Sequence, residues 1–130
     1  FHLEKNVFLI GPVKREEIAK YLAEACIFLF PSIREGIPKS ILEAMSAGKP
    51  VIASDIPGIK EIIKEGDNGI LVPPKNPRML AKAILTLLED RSLRKKLGWN
   101  ARKTALDKFA WDKILNMLKS VYEEAIKIGC

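Results

Sequence analysis

The sequence predicts an α/β fold, a Rossmann-like parallel sheet of four strands with a helical C-terminal extension. Three observations carry it. Short apolar runs alternate with amphipathic stretches between residues 7 and 72, and that alternation is the pattern of a parallel sheet covered by helices. The runs are apolar at consecutive positions, as expected when both faces of a sheet are covered. From Asn76 onward the spacing is helical throughout. A length of 130 residues suits one domain, so residues 1–130 are read as a single one.

Each element has a local reason. Val7–Ile10 is a β-like run closed by Gly11-Pro12. Arg15 to Ala25 follows as a helix, with Ile18, Tyr21, Leu22 and Ala25 on one stripe. Cys26–Phe30 is the second strand, stopped by Pro31-Ser32. A helix begins near Pro38, where a proline fits the first turn, and ends near Gly48. Val51–Ala53 is the third strand, and Ser54 to Gly58 is turn chemistry. Ile59 to Lys64 is a short helix ended by Gly66, and Ile70–Val72 is the fourth strand. Asn76 caps and Pro77 starts the next helix, which carries Leu80, Ala83, Ile84, Leu87 and Leu88. Asp90 or Ser92 opens another that reaches about Asp107. Trp111 to about Ile128 is the last, with an apolar stripe from Ile114 to Ala125.

Composition narrows the chemistry. Apolar residues are 48% and charged residues 29%, a globular balance. No apolar run approaches the ~18 residues of a membrane span. His2 is the only histidine and stands at the very end of the chain, which removes most Ser-His-Asp triads, Cys-His pairs and HExxH zinc sites. Cys26 and Cys130 are too few for a metal cluster or a disulfide framework. Cys26 lies in an apolar run and reads as a buried thiol of a reducing, cytoplasmic compartment. Met45, Met79, Trp99 and Trp111 read as packing residues. The first residue is Phe1, without the basic start or cleavage site of a signal peptide, and the chain is expected to be a piece of something longer.

The net charge of +6 comes from the last forty residues, which carry ten basic and four acidic side chains. Arg91, Arg94, Lys95, Lys96, Arg102 and Lys103 form a stretch, 91–103, without an acidic residue. It is read first as a solvated helix face and second as a contact for an anionic membrane surface. Trp99 is its only aromatic residue, so no nucleic-acid partner is expected.

Ligands in such folds bind beyond the carboxyl ends of the strands. The most distinctive of those ends is Ser32 to Met45, which runs from a strand through a loop into a helix. The first amides of a helix have no intrahelical partners, and its dipole adds partial positive charge there, so phosphate is favoured. Gly36 lets the backbone approach a ligand closely. Glu35 stands ahead of the helix and Glu43 inside it, and carboxylates accept hydrogen bonds from sugar hydroxyls. The arrangement fits a nucleotide joined to a sugar. Alternatively, Glu43 simply pairs with Lys39 at i,i+4, a contact of only about 0.2–0.5 kcal/mol, and Gly36 and Gly58 are turn residues and no more.

The Glu35-x7-Glu43 pattern, within PSIREGIPKSILEAMSAGKPVIASDIPGIKEII, resembles the donor-binding signature of the family-4 retaining glycosyltransferases, whose architecture is the two-domain GT-B fold. NVFLIGPV is similar to that family's strand and nucleobase loop, and GDNGILVPPKNPRMLAKAILTLLED and FAWDKILNMLKSVYEEAI are similar to its ending. The resemblance implies a transferase that moves a sugar from a nucleoside diphosphate to an acceptor hydroxyl with retention. It implies that Glu35 contacts the donor sugar as the catalytic group and that Glu43 holds the ribose hydroxyls. It places Gly36, Ile37, Lys39 and Ser40 at the phosphates and Pro12-Val13 beside the base. No metal or other cofactor is implied. An N-terminal acceptor-binding domain, and two strands before Val7, are implied partners absent from this chain, which alone is expected to be inactive. In the family's sheet order those two strands lie between Val7–Ile10 and Cys26–Phe30, so a gap there is expected of a cut piece and direct pairing of a complete protein. The commoner motif reads Glu-Gly-Phe-Gly where this chain has Glu35-Gly36-Ile37-Pro38, and Pro38 offers no N–H. A non-catalytic nucleotide- or phosphate-binding module is the alternative, and a basic peripheral module is a third.

Overall fold

The computed structural model describes residues 3–128. Its elements run α1 (Arg15–Glu24), β1 (Phe28–Phe30), α2 (Lys39–Ser46), β2 (Val51–Ser54), α3 (Pro57–Lys60), β3 (Ile70–Val72), α4 (Pro77–Glu89), α5 (Arg91–Lys108) and α6 (Trp111–Ile128). Among the described residues the sheet has three strands in the order β1-β2-β3. Both pairings are parallel, with Phe28 opposite Val51 and Ile52 opposite Ile70. The α/β class, the parallel sheet and the helical C-terminal part are as the sequence predicts.

β2 is the central strand and all four of its residues are buried. Its side chains alternate between two cores. Val51 and Ala53 face Ile41, Ala44 and Met45 of α2 together with Ala101 and Ala105 of α5. Ile52, with Val72, faces Ala83 and Leu87 of α4 and Leu97 of α5. α5 therefore contributes to both cores and ties the sheet's two faces together. Burying each Val, Leu or Ile contributes about 1.5–3 kcal/mol.

Helix ends follow their caps. Asn76 accepts from the Met79 amide at 3.1 Å, and Asp90 accepts from the Leu93 amide at 2.8 Å, so Asp90 and not Ser92 opens α5. α2 stops at Gly48, whose φ is 70°. The Gly48 amide bonds the Met45 carbonyl at 2.9 Å and the Lys49 amide bonds that of Ala44 at 3.0 Å. This is the double-bonded termination that a left-handed glycine permits. Asn68, 1% exposed, holds the turn before β3. Its amide donates to the Ile62 carbonyl at 3.1 Å and to Thr104 Oγ1 of α5 at 3.2 Å, and its oxygen accepts from the Lys64 amide at 2.7 Å.

Several expectations are corrected. Val7–Ile10 is not a fourth strand. Its four side chains are exposed, Leu9 by 97%, and among the described residues it pairs with no strand, Cys26–Phe30 included. Apolar composition favours an extended backbone, but a strand exists only where a second edge supplies its hydrogen bonds. α3 ends at Lys60, short of the expected Lys64, and a turn follows. Cys26 is exposed, because the strand proper starts two residues later, and the compartment inferred from a buried thiol loses that support. Met45 is fully buried, but Met79 is 42%, Trp99 70% and Trp111 75% exposed, so these three do not anchor the core. α6 carries its predicted stripe without burying any of it. No helix among the described residues is long and apolar enough to cross a membrane.

Candidate functional site

The site is built where β1 ends and α2 begins. Pro38 is the buried residue immediately ahead of α2, one position earlier than the first-turn place expected of it. The Ile41 amide closes on the Pro38 carbonyl at 3.2 Å, so the amides of Lys39 and Ser40 precede the first bonded turn. Ile41, Ala44 and Met45 turn one face of α2 into the core. Helical geometry sets Lys39 and Glu43 on the opposite face, one turn apart, and both are exposed. The ion pairs found among the described residues are Lys60–Asp55 and Lys119–Glu123. Lys39 and Glu43 therefore do not neutralise one another, and the i,i+4 reading of Glu43 is not realised.

Glu35, Gly36 and Ile37 form the exposed loop ahead of that helix. The Glu35 carboxylate accepts a hydrogen bond from Ser32 Oγ at 2.9 Å. The loop rests on the start of α3: a Cβ added at Gly58 would fall 2.1 Å from the Gly36 carbonyl oxygen. A Cβ added at Gly36 itself would meet nothing within 4 Å. Space thus lies open on the outer side of Gly36, where the sequence expects a ligand to approach. Gly58 and Ser32 were not singled out by the sequence as parts of the site. Turn composition hides Gly58, since the demand for glycine there comes from a loop 22 positions away.

Pro12 and Val13 precede α1, the first exposed and the second half-buried. Among the described residues no hydrogen bond joins them to Glu35 or α2, so their place beside the base rests on the sequence. Beside the Glu35 loop, at the carboxyl ends of the strands, a cleft of about 230 Å³ is lined by Pro31, Ile33, Ser54, Val72 and Lys75, among others. A larger cavity of about 300 Å³ lies between the 60–68 segment and α5. Its polar walls are bonded to each other, with Asn100 donating to the Asp67 carbonyl at 2.9 Å and Thr104 to that of Asn100 at 2.8 Å. Among the described residues no cluster of three or more His, Cys, Asp or Glu side chains is arranged to hold a metal ion.

The basic stretch is only partly free. Arg94 donates to the Leu88 carbonyl at 2.7 Å and also to that of Leu87, stapling the end of α4. Arg102 donates to the Ser46 carbonyl at 2.6 Å and staples the end of α2. Arg91, Lys95, Lys96 and Lys103 remain, spread over more than one side of α5.

Known proteins share this fold. The family described as glycosyl transferases group 1 matches residues 1–104. An uncharacterized glycosyltransferase of Methanocaldococcus jannaschii is 35% identical over 119 residues, 92% of this chain and 34% of that protein. Sucrose-phosphate synthase from Thermosynechococcus elongatus superposes with a TM-score of 0.90 at 31% identity, over 98% of this chain and 32% of that one. Anabaena HepE, solved in complex with UDP-glucose, gives 0.87 at 28% identity, over 94% and 33%. The chain thus spans about a third of the length of the relatives it matches.

Proposed function

Because the chain belongs to the group 1 glycosyl transferases, we propose that it is the donor-binding part of a retaining enzyme, which moves a sugar from a nucleoside diphosphate to an acceptor hydroxyl. The observation that carries this is the geometry at the start of α2. Unpartnered amides stand at the N-terminus of one helix, whose outer face carries the cation of Lys39 and the carboxylate of Glu43, and Glu35 stands in the loop that enters it. Amides and Lys39 neutralise a diphosphate without a metal. Glu43 takes the ribose hydroxyls, and Glu35 faces the sugar, where a carboxylate stabilises developing positive charge. Ile37 and Ser40 complete the phosphate turn, and Pro12-Val13 border the base. The complex of HepE with UDP-glucose supports a nucleotide-sugar ligand for this fold. The acceptor is held by a second domain, and such donors place the protein in the cytoplasm.

Titration of UDP and UDP-glucose into the chain, followed by NMR, tests the site. Glu43→Ala is expected to weaken UDP by about 10- to 100-fold, the cost of losing hydrogen bonds to a charged group. Glu35→Gln is expected to leave UDP affinity within about threefold while lowering turnover in an enzyme that includes the acceptor domain. Binding untouched by Glu43→Ala would overturn the site. Full turnover with Glu35→Gln would show that Glu35 is not the catalytic group.

A further inference from the structure

We propose that Gly58 and Ser32 are positioning residues for Glu35, resting on the reading of Glu35 as the group that meets the donor sugar: Gly58 seats its main chain and Ser32 aims its carboxylate. A Cβ at Gly58 would stand 2.1 Å from the Gly36 carbonyl oxygen and 2.6 Å from that of Glu35. Both are backbone atoms, which no rotamer change can move aside. Gly58 is not among the glycines with positive φ, so its backbone suits any residue. Space alone demands glycine there.

Nothing else in the main chain holds the loop. Among the described residues no backbone hydrogen bond begins or ends between residues 32 and 37, apart from a 3.4 Å approach of Ser32 Oγ to the Arg34 carbonyl. A serine has one O–H to donate. The carboxylate at 2.9 Å is nearer and charged, so it takes that proton in preference to the carbonyl. One steric seat and one hydrogen bond therefore fix where the Glu35 oxygens stand before any ligand arrives.

A methyl group at position 58 forces the Glu35–Gly36 main chain aside by roughly 1 Å, and a displacement of that size costs on the order of 100-fold in rate. Loss of the serine hydroxyl frees the carboxylate at a cost of about 5- to 10-fold. The test compares Gly58→Ala, Ser32→Ala, Ser32→Thr, Glu35→Gln and the double change Gly58→Ala/Glu35→Gln. Turnover is read in an enzyme that includes the acceptor domain, with the donor that works best among UDP-, GDP- and ADP-glucose. Amide NMR spectra of the 130-residue chain report the fold.

The expected result is that Gly58→Ala shifts the amides of residues 34–37 and lowers kcat about 100-fold with donor KM within about threefold. Ser32→Ala is expected to lower kcat less, and Ser32→Thr to restore it. The double change is expected to be no slower than Glu35→Gln alone, because residues acting as a unit are not additive. If Glu35→Gln is slow but Gly58→Ala and Ser32→Ala are not, the positioning roles are wrong and the site stands. If Gly58→Ala and Glu35→Gln multiply, or Gly58→Ala unfolds the chain, Gly58 serves the fold and its assignment fails. If Glu35→Gln is itself silent, the functional reading fails first.

Discussion

Gly98 lies inside α5, where an alanine ordinarily stabilises a helix by about 1 kcal/mol. Here the opposite sign is expected. A Cβ at Gly98 would fall 2.3 Å from the Gly48 carbonyl oxygen and 3.2 Å from its carbon. Ordinary contact requires α5 and the end of α2 to part by roughly 1 Å. Overpacking of this kind costs about 1–3 kcal/mol. Gly48 cannot yield freely, because it terminates α2 through the bonds of Gly48 and Lys49 to Met45 and Ala44. Losing one of those adds about 1 kcal/mol. Against the gain in propensity, Gly98→Ala is expected to destabilise the chain by about 1–3 kcal/mol. Urea denaturation followed by circular dichroism measures this, with an expected fall in Tm of roughly 4–11 °C as a second readout. Gly36→Ala is the matched control, because a Cβ there meets nothing, and it is expected within about 0.5 kcal/mol of the parent. A neutral or stabilised Gly98→Ala protein would refute the reasoning, since it would mean that α2 and α5 separate freely and intrinsic propensity decides.

Two other outcomes follow from named contacts. Asn68→Ala removes three hydrogen bonds and leaves the Ile62 carbonyl and the Lys64 amide without their partner. A loss of about 3 kcal/mol is expected in the same urea assay, and a loss under about 1 would show that water replaces the side chain. For the tail, Arg94 and Arg102 each donate to helix-end carbonyls, which leaves four of the six basic residues in 91–103 without such a bond. At about 1 kcal/mol each, binding to anionic vesicles is expected at low salt and lost at high salt, and vesicles left unbound at low salt would rule the membrane contact out.

Local signals were the legible part of this protein. The caps at Asn76 and Asp90, the glycine stop at Gly48 and the apolar runs of β2 and β3 act over a few residues, so the sequence alone sets those elements within one or two positions. The loop and helix from Glu35 to Glu43 stand out for the same reason, since glycine, proline and carboxylates at fixed offsets describe one turn of chain. Tertiary structure decided what depends on a distant partner. Val7–Ile10 has strand composition, yet strands are made by neighbours, and among the described residues it pairs with none. The stripe of α6 has helical period, yet period does not say whether anything covers it. Arg94 and Arg102 read as surface charge until two helix ends are placed beside them. Gly58 and Gly98 look like turn and helix glycines. Each is required because a backbone carbonyl from far along the chain occupies the space of a side chain, which no local pattern can encode.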